Sequence, residues 1–239
     1  MLNIIYYPVS IFLWFWWRFF GLFFGVSTGV TWIASIVSVT LVLRVILYWP
    51  FRRRIRSLQR RPASARSPES FIRTLRPLGG WPIFVIQVLF FVGIHQVLQG
   101  MQAYKIENYV FSRSAIIFYN ESALFGMKFG ASVVPVQGRL PPTAFSTTPA
   151  QMLIVAIPLT VTAAVLLYYA ANRTASLRTE LGLSPHPTAT AAAKLILPLM
   201  PLITLLFWPT LLLFYWISNS ICTIYQCRLV RGIVEPADL

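Results

Sequence analysis

The chain of 239 residues is 57% hydrophobic and only 11% charged, whereas a soluble domain usually carries about 25% charged residues. Its formal net charge of +14 would suggest a nucleic-acid partner for a soluble protein. Here, however, apolar runs recur along the chain and the basic residues cluster between them, as in membrane proteins. The composition therefore excludes an ordinary soluble domain, indicates a multi-pass membrane protein, and gives no reason to expect DNA as a partner.

The first apolar stretch, 8–25, predicts an aromatic-rich helix. Pro8 suits a first helical turn, and a less apolar stripe recurs at helical spacing, formed by Ser10, Trp14, Arg18, Gly21 and Gly25. A helix with such a stripe and several Trp residues can lie among the lipid head groups, so we interpret 8–25 as an amphipathic interfacial helix. The alternative is a true span in which Arg18 reaches the boundary. Without a basic start or a small-residue cleavage site, we do not expect a cleaved signal peptide.

The remaining apolar runs predict transmembrane helices at 29–48, 81–100, 152–170, 194–207 and 210–226. Together they form one all-α membrane domain over 1–239, with five transmembrane helices. Three polar segments connect the helices, at 51–80, 101–150 and 171–193. Since Lys and Arg favour the cytoplasmic side, the nine Arg of 51–80 place that loop in the cytoplasm. We therefore expect a bacterial plasma (inner) membrane protein with its N-terminus outside and its C-terminus cytoplasmic.

The 51–80 loop begins with a dense basic run. Anionic lipid head groups attract such clusters, and ribosomal RNA is a second polyanion that a cytoplasmic loop can meet. We expect contact with lipid or ribosome at Arg52, Arg53, Arg54, Arg56, Arg60 and Arg61.

One permanent charge lies inside a predicted span. Arg44 precedes Pro50 by six residues, which places it about 9 Å above the cytoplasmic boundary. Its guanidinium could extend part of that distance toward the head groups, and this plain structural role is one interpretation. The other is a water-filled recess, because an Arg in hydrocarbon costs about 2.5 kcal/mol or more without water or partners, and the predicted spans contain no Asp or Glu.

Other polar residues favour the recess. Gln87 lies six residues into the span at 81–100 and therefore at a depth similar to that of Arg44. Asn219, Thr223 and Gln226 fall on one face of the last span. The predicted groove thus opens to the cytoplasm and is lined by Arg44, Gln87, Ser218, Asn219, Thr223 and Gln226.

No set of residues points to bond chemistry. The chain has two His and two Cys, and the sequence shows no acid pair, zinc motif or nucleophile with a base. Cys222 and Cys227 read as small apolar helix residues, and His95 as a helix-packing residue. We expect a protein that is not an enzyme and that needs no cofactor and no metal.

The order of these features resembles the YidC/Oxa family of membrane protein insertases. The resemblance rests on L-V-L-R-V-I-L-Y-W-P-F at 41–51, on L-R-P-L-G-G-W-P-I-F-V-I-Q-V-L-F-F at 75–91, and on a third stretch at 198–226 that contains F-W-P-T-L-L-L-F-Y-W-I-S-N. The matching positions include Pro77, Gly80, Pro82, Pro209, Tyr215 and Trp216. Each stretch alone is weak, but their order and spacing cover most of the chain.

The resemblance implies five core helices around a hydrophilic groove that faces the cytoplasm. Such a protein inserts nascent membrane proteins and helps them fold, alone or beside the Sec translocon. By the same resemblance Arg44 attracts the substrate, while Gln87 and Asn219 hydrate the groove.

The chain departs from the family pattern in 51–80, where the family usually has a long two-helix hairpin. Here only short helical pieces are predicted, separated by Pro62 and Pro68. A shortened hairpin suits a divergent paralogue, so a non-inserting assembly chaperone stays open as an alternative. A small transporter is the third hypothesis, although the spans show neither coupling acids nor inverted repeats.

Overall fold

A computed structural model describes residues 3–59, 81–103, 108–130, 149–180 and 187–234. Its helices are α1 (Asn3–Phe24), α2 (Gly29–Gln59), α3 (Trp81–Gln102), α4 (Arg113–Glu121), α5 (Pro149–Glu180), α6 (Pro187–Ile196), α7 (Met200–Phe207) and α8 (Leu212–Val234). A short hairpin pairs β1 (Ala123–Leu124) with β2 (Met127–Lys128). A 3₁₀ turn, Leu197–Leu199, joins α6 to α7. The prediction of an all-α membrane protein is confirmed.

Five helical segments are long and apolar enough to cross a membrane: Tyr6–Phe24, Gly29–Pro50, Val85–Gln102, Leu153–Glu180 and Thr190–Phe207. This set differs from the predicted one at two places. It includes α1, which we predicted to be interfacial, and it leaves out α8, which we predicted to be a span. The difference has a simple cause, since α1 carries a single charge while α8 carries two Arg and a run of polar side chains.

Several helices continue beyond their predicted limits. The predicted loop at 51–80 begins inside α2, which passes through Pro50 and ends at Gln59. The predicted loop at 171–193 likewise begins inside α5, whose last turns are held by pairs four residues apart, such as Ser176 with Glu180. Good helix formers follow the apolar run in each case, so the helix does not end where the hydropathy falls.

The two ends of the bundle differ. We call the end where α2 begins and α3 ends the closed end, and the opposite end the open end. The closed end is covered by α4 and the hairpin, which follow α3 and form part of the segment at 101–150 that we predicted only as polar. The hairpin turns at Phe125 and Gly126, both with positive φ, as a two-residue turn between right-twisted strands requires.

Aromatic packing and buried hydrogen bonds fix this cover to the bundle. Trp32 is fully buried and contacts the rings of Trp17, Phe111 and Tyr119. The Asn120 side chain donates to the Met101 carbonyl at 2.8 Å. Further bonds run from Asn108 to the Val97 carbonyl, from Ser122 to the Ser27 carbonyl and from Thr210 to the Lys128 carbonyl. These polar side chains thus have hydrogen-bond partners within the protein, whereas the buried Nε1 of Trp32 has none among the described residues.

Helix α1 packs on α2 and α3. Its buried face includes Val9, Leu13 and Trp17, while large apolar side chains such as Phe15 and Phe23 stay exposed. Its polar contacts run to the closed end, where Ser10 accepts from the Val110 amide and Trp17 donates to the Val26 carbonyl. The interfacial position of α1 stays a prediction, because length and composition alone also allow a span.

Tight packing at the closed end makes Gly29 sensitive to substitution. A Cβ at Gly29 would lie 2.5 Å from the Ala123 carbonyl oxygen and 3.0 Å from the Phe129 ring. We expect Gly29→Ala to lower the free energy of unfolding by about 1–3 kcal/mol through overpacking. Thermal unfolding of the purified chain measures this.

Gly232→Ala in α8 is the matched control, because no atom lies within 4 Å of its added methyl group. It should be neutral or stabilising by about 0.5–1 kcal/mol, as expected for Gly→Ala in a helix. Equal effects of the two substitutions would contradict the described packing of the cover.

Candidate functional site

Three of the predicted site residues meet in the open half of the bundle. We call Arg44, Asn219 and Gln226 the Arg44 cluster. Arg44 lies on α2, and its Nε donates to Asn219 Oδ1 at 2.8 Å, while its Nη2 donates to the same oxygen. Its Nη1 donates to Gln226 Oε1 at 3.4 Å. The Gln226 amide nitrogen in turn donates to the Arg44 carbonyl at 3.0 Å. The cluster therefore ties α2 to α8 by polar contacts.

The spacing of the two amides explains why one guanidinium reaches both. Asn219 and Gln226 are seven residues apart, which is close to two helical turns, so their side chains project from one face of α8. That face lies against α2. A flat guanidinium with forked donors fits between two such acceptors.

The partners of Arg44 are neutral, which leaves its charge uncompensated. No carboxylate among the described residues pairs with it, and the ion pair seen there joins Arg231 to Glu180. A guanidinium has five N–H donors. Three of them go to the two amides, and the other two find no acceptor within the described part of the chain. The site is therefore positively charged and able to bind a further acceptor.

Two predicted groove residues turn their hydroxyl groups to their own helix. Ser218 is buried and donates to the Phe214 carbonyl at 2.7 Å. Thr223 is half-buried and donates to the Asn219 carbonyl at 2.9 Å. Such bonds to the preceding turn satisfy Ser and Thr inside a helix. The structure thus does not bring these two hydroxyl groups to the guanidinium.

Gln87 lies across from the cluster on α3. It is half-buried, and its side chain makes no hydrogen bond to any described residue. The rings of Phe91 and Tyr215 contact each other with centroids 5.2 Å apart. The helices α3 and α8 run in opposite directions. Gln87 therefore lies one turn from Phe91 toward the open end, and Asn219 lies one turn from Tyr215 in the same direction. The two amides are therefore at one level.

Tyr215 belongs to this site although we did not predict it there. It is buried, contacts Phe91 and is an electrostatic neighbour of the Arg44 guanidinium. Its neighbour Trp216 donates from Nε1 to the Thr204 hydroxyl at 2.9 Å and so fixes α8 on α7. The four-residue spacing from Tyr215 to Asn219 is the sequence signal that could have placed Tyr215 on the groove face.

The basic contact residues are described only in part. Arg53 lies over the Trp49 ring at 3.5 Å from its centroid. Arg52 is half-buried, and its Nε finds no acceptor among the described residues. Arg60 and Arg61 lie outside the described residues, and so do the side chains of Arg54 and Arg56, although both of these belong to α2.

Three curated relatives carry the name membrane protein insertase YidC. The chain is 26% identical to that of Mycolicibacterium paratuberculosis, 28% to that of Mycobacterium tuberculosis and 27% to that of Mycobacterium leprae. In each case the match covers 99% of this chain, and it covers 77%, 74% and 72% of the relatives. No protein-family model and no solved structure matches the chain.

The alignments are longer than the chain itself. They run over 275 or 276 positions, whereas the chain has 239 residues. The relatives therefore contain residues inside the matched region that have no counterpart here.

We expect the Arg44 cluster to act as one coupled unit in stability measurements. Asn219→Leu leaves the guanidinium without its best acceptor and should cost about 1–3 kcal/mol. The double variant Arg44→Leu/Asn219→Leu removes both partners and should be more stable than Asn219→Leu alone, because no buried charge is left unpaired. Unfolding of the four proteins of this cycle measures the coupling. Additive effects would contradict the bonding described for Arg44 and Asn219.

Proposed function

Because the chain belongs to the YidC family of membrane protein insertases, we propose that it inserts membrane proteins and helps them fold by binding polar segments of a nascent chain at the Arg44 cluster. One observation carries this proposal: a guanidinium inside an apolar bundle is held by neutral amides and keeps its charge. The site therefore attracts polar or acidic segments.

The physical advantage lies in the distance that a polar segment must cross. Hydrocarbon offers no hydrogen bonds, so each unsatisfied backbone group costs several kcal/mol there. A hydrated groove that reaches half-way across the membrane supplies such bonds and shortens the apolar path. Arg44 would attract the segment, while Gln87 and Asn219 would keep water in the groove. No bond is made or broken in this activity.

Packing around the cluster supports a groove on the α3 side. Helix α8 packs on α2 and α5, whereas α2 and α3 hardly touch within the described residues. Gln87 and Asn219 are at one level on the two sides of this gap, and the Phe91–Tyr215 contact closes it toward the closed end. A segment entering from the open end would therefore reach Arg44 and stop there.

We propose that the open end faces the cytoplasm, with the N-terminus outside and the C-terminus inside. The described basic residues support this orientation by the positive-inside rule. At the open end lie Arg52, Arg53, Arg173, Arg178, Arg228 and Arg231, whereas at the closed end lie Arg18, Arg113 and Lys128.

The proposed partners follow from this placement. Nascent membrane proteins are the substrates, and the ribosome and the Sec translocon are the sources from which they would arrive. The basic run that begins at Arg52 faces the cytoplasm in this orientation. We propose that Arg52, Arg53, Arg54, Arg56, Arg60 and Arg61 contact anionic lipids or ribosomal RNA.

A second function is favoured by the length of the alignments. The relatives contain residues that this chain lacks, and the segment at 51–80 is too short for a long helical hairpin. If the missing residues recruit substrate in the relatives, this chain would act as an assembly chaperone on helices that are already inserted.

A depletion experiment separates the two functions. We expect the wild-type chain to restore insertion of a small Sec-independent single-span protein in cells depleted of their main insertase. Arg44→Ala should lower this insertion at least several-fold, because the groove loses its charge. Protease protection of the substrate in intact cells measures insertion.

Arg178→Ala is the matched control, since it removes an exposed Arg at the open end and should leave insertion unchanged. Rescue by wild type and Arg44→Ala alike would support the insertase and reduce Arg44 to a helper of hydration. Absence of rescue by a wild-type chain that is present in the membrane would overturn the insertase proposal in favour of the assembly chaperone.

A further inference from the structure

Two arginines from different helices converge on one tyrosine hydroxyl outside the Arg44 cluster. On α5, Arg173 Nε donates to the Tyr169 hydroxyl at 2.7 Å, and Nη2 donates to the same oxygen. On α8, Arg228 is an electrostatic neighbour of this hydroxyl. One neutral hydroxyl therefore has two permanent charges near it.

No carboxylate within the described residues neutralises this pair. On α5, Glu180 uses its oxygens for Arg231 and Ser176, and it acts on Arg173 only through the field of its charge. Two guanidinium groups beside a single hydroxyl have more N–H donors than this one oxygen can accept. The arrangement fits an anion with several oxygens.

The pair lies at the level of the membrane boundary. Tyr48, near the end of the apolar part of α2, and Cys227, which directly precedes Arg228, pack against the same small cluster of Leu177 and Val230. Tyr168 and Tyr225 are exposed at 52% and 60% on the surrounding surface. Exposed tyrosines of this kind mark the head-group region of membrane proteins.

The surface that continues from the pair toward the closed end is apolar. Val161 and Val165 precede Tyr169 by two turns and one turn of α5, and Ile221 lies one turn before Tyr225 on α8; all three are exposed. An apolar surface would therefore adjoin an anion bound at the arginines, on the side toward the closed end. Free phosphate has no apolar part that could pack on this surface, whereas the acyl chains of a phospholipid could.

This surface is separate from the Arg44 cluster. Arg228 follows Asn219 by nine residues, about two and a half helical turns, so the two side chains project from opposite faces of α8. A ligand at the arginine pair would therefore contact α5 and α8 from the lipid side and leave the groove free.

We propose that Tyr169, Arg173 and Arg228 bind the phosphate group of an anionic phospholipid, whose acyl chains lie along the exposed apolar face of α5 and α8. The guanidinium forks bind phosphate oxygens in pairs, and the tyrosine hydroxyl can turn to donate a further bond. An anionic head group satisfies the two charges, whereas the choline of a zwitterionic lipid adds a positive charge. This site does not rest on the proposed insertase activity.

The test uses the purified full chain in a neutral detergent. Phosphatidylglycerol or phosphatidylcholine with the same acyl chains is added, and bound lipid is counted by native mass spectrometry. We expect the wild type to bind phosphatidylglycerol at least about tenfold more tightly than phosphatidylcholine, and Arg173→Gln/Arg228→Gln to lose this preference. Arg113→Gln/Arg178→Gln is the matched control, because it removes two exposed charges elsewhere.

Each outcome decides the proposal. Loss of the preference in the Arg173/Arg228 variant alone supports the site. If this variant keeps the preference for phosphatidylglycerol, or if the control loses it equally, the proposed site is wrong and the net charge of the protein attracts the lipid. Displacement of phosphatidylglycerol by inorganic phosphate at equal concentration overturns the lipid in favour of a soluble phosphate. If Arg173→Gln/Arg228→Gln lowers the unfolding temperature, Arg173→Lys/Arg228→Lys replaces it in the test. The lysine variant keeps both charges but loses the paired N–H donors of the guanidinium groups. Its preference for phosphatidylglycerol should therefore fall several-fold.

Discussion

An arginine inside an apolar helix bundle is the constraint on which the open half of this protein depends. Burying the Arg44 guanidinium costs at least about 2.5 kcal/mol without water or partners, and the chain meets this cost with two amides of α8 rather than with a carboxylate. A carboxylate would neutralise the site, whereas Asn219 and Gln226 hold the side chain in place and leave its charge available. The same contacts fix α8 against α2, so one interaction both stabilises the bundle and holds the charge that the proposed function requires.

The closed half solves the opposite problem, because it must exclude water. Rings of Trp17, Trp32, Phe111 and Tyr119 fill its centre, and side-chain hydrogen bonds to backbone carbonyls join the cover to the bundle. A site of attraction that reached both surfaces would let ions leak. In the proposed function, a polar half next to a dry half would give a binding site that ends part-way across the membrane.

The fold class and the residues of the Arg44 cluster could be predicted from the sequence. The ends of the helices could not, because a helix can continue after the apolar run has ended. Arg44, Asn219 and Gln226 were predicted together, because a charge within an apolar run and two amides seven residues apart are visible without a structure. The ends of α2 and α5 were missed, since good helix formers such as Arg and Ala continue a helix after the apolar run has ended. The cover built from α4 and the hairpin was missed because its order comes from long-range contacts, such as Thr210 with Lys128.

Ser218 was placed in the groove by its position, whereas its hydroxyl is satisfied by its own helix.

Photo-crosslinking to a nascent chain tests the central claim most directly. A benzoyl-phenylalanine in place of Thr223 lies one turn from Asn219 on the groove face, whereas the same probe in place of Tyr225 lies on the exposed lipid-facing side of α8. With a ribosome-bound single-span protein as substrate, we expect crosslinks from position 223 that depend on Arg44, and few from position 225. Equal crosslinking from the two positions, or crosslinking from 223 that is unchanged in Arg44→Ala, would contradict a charged groove as the place where substrate binds.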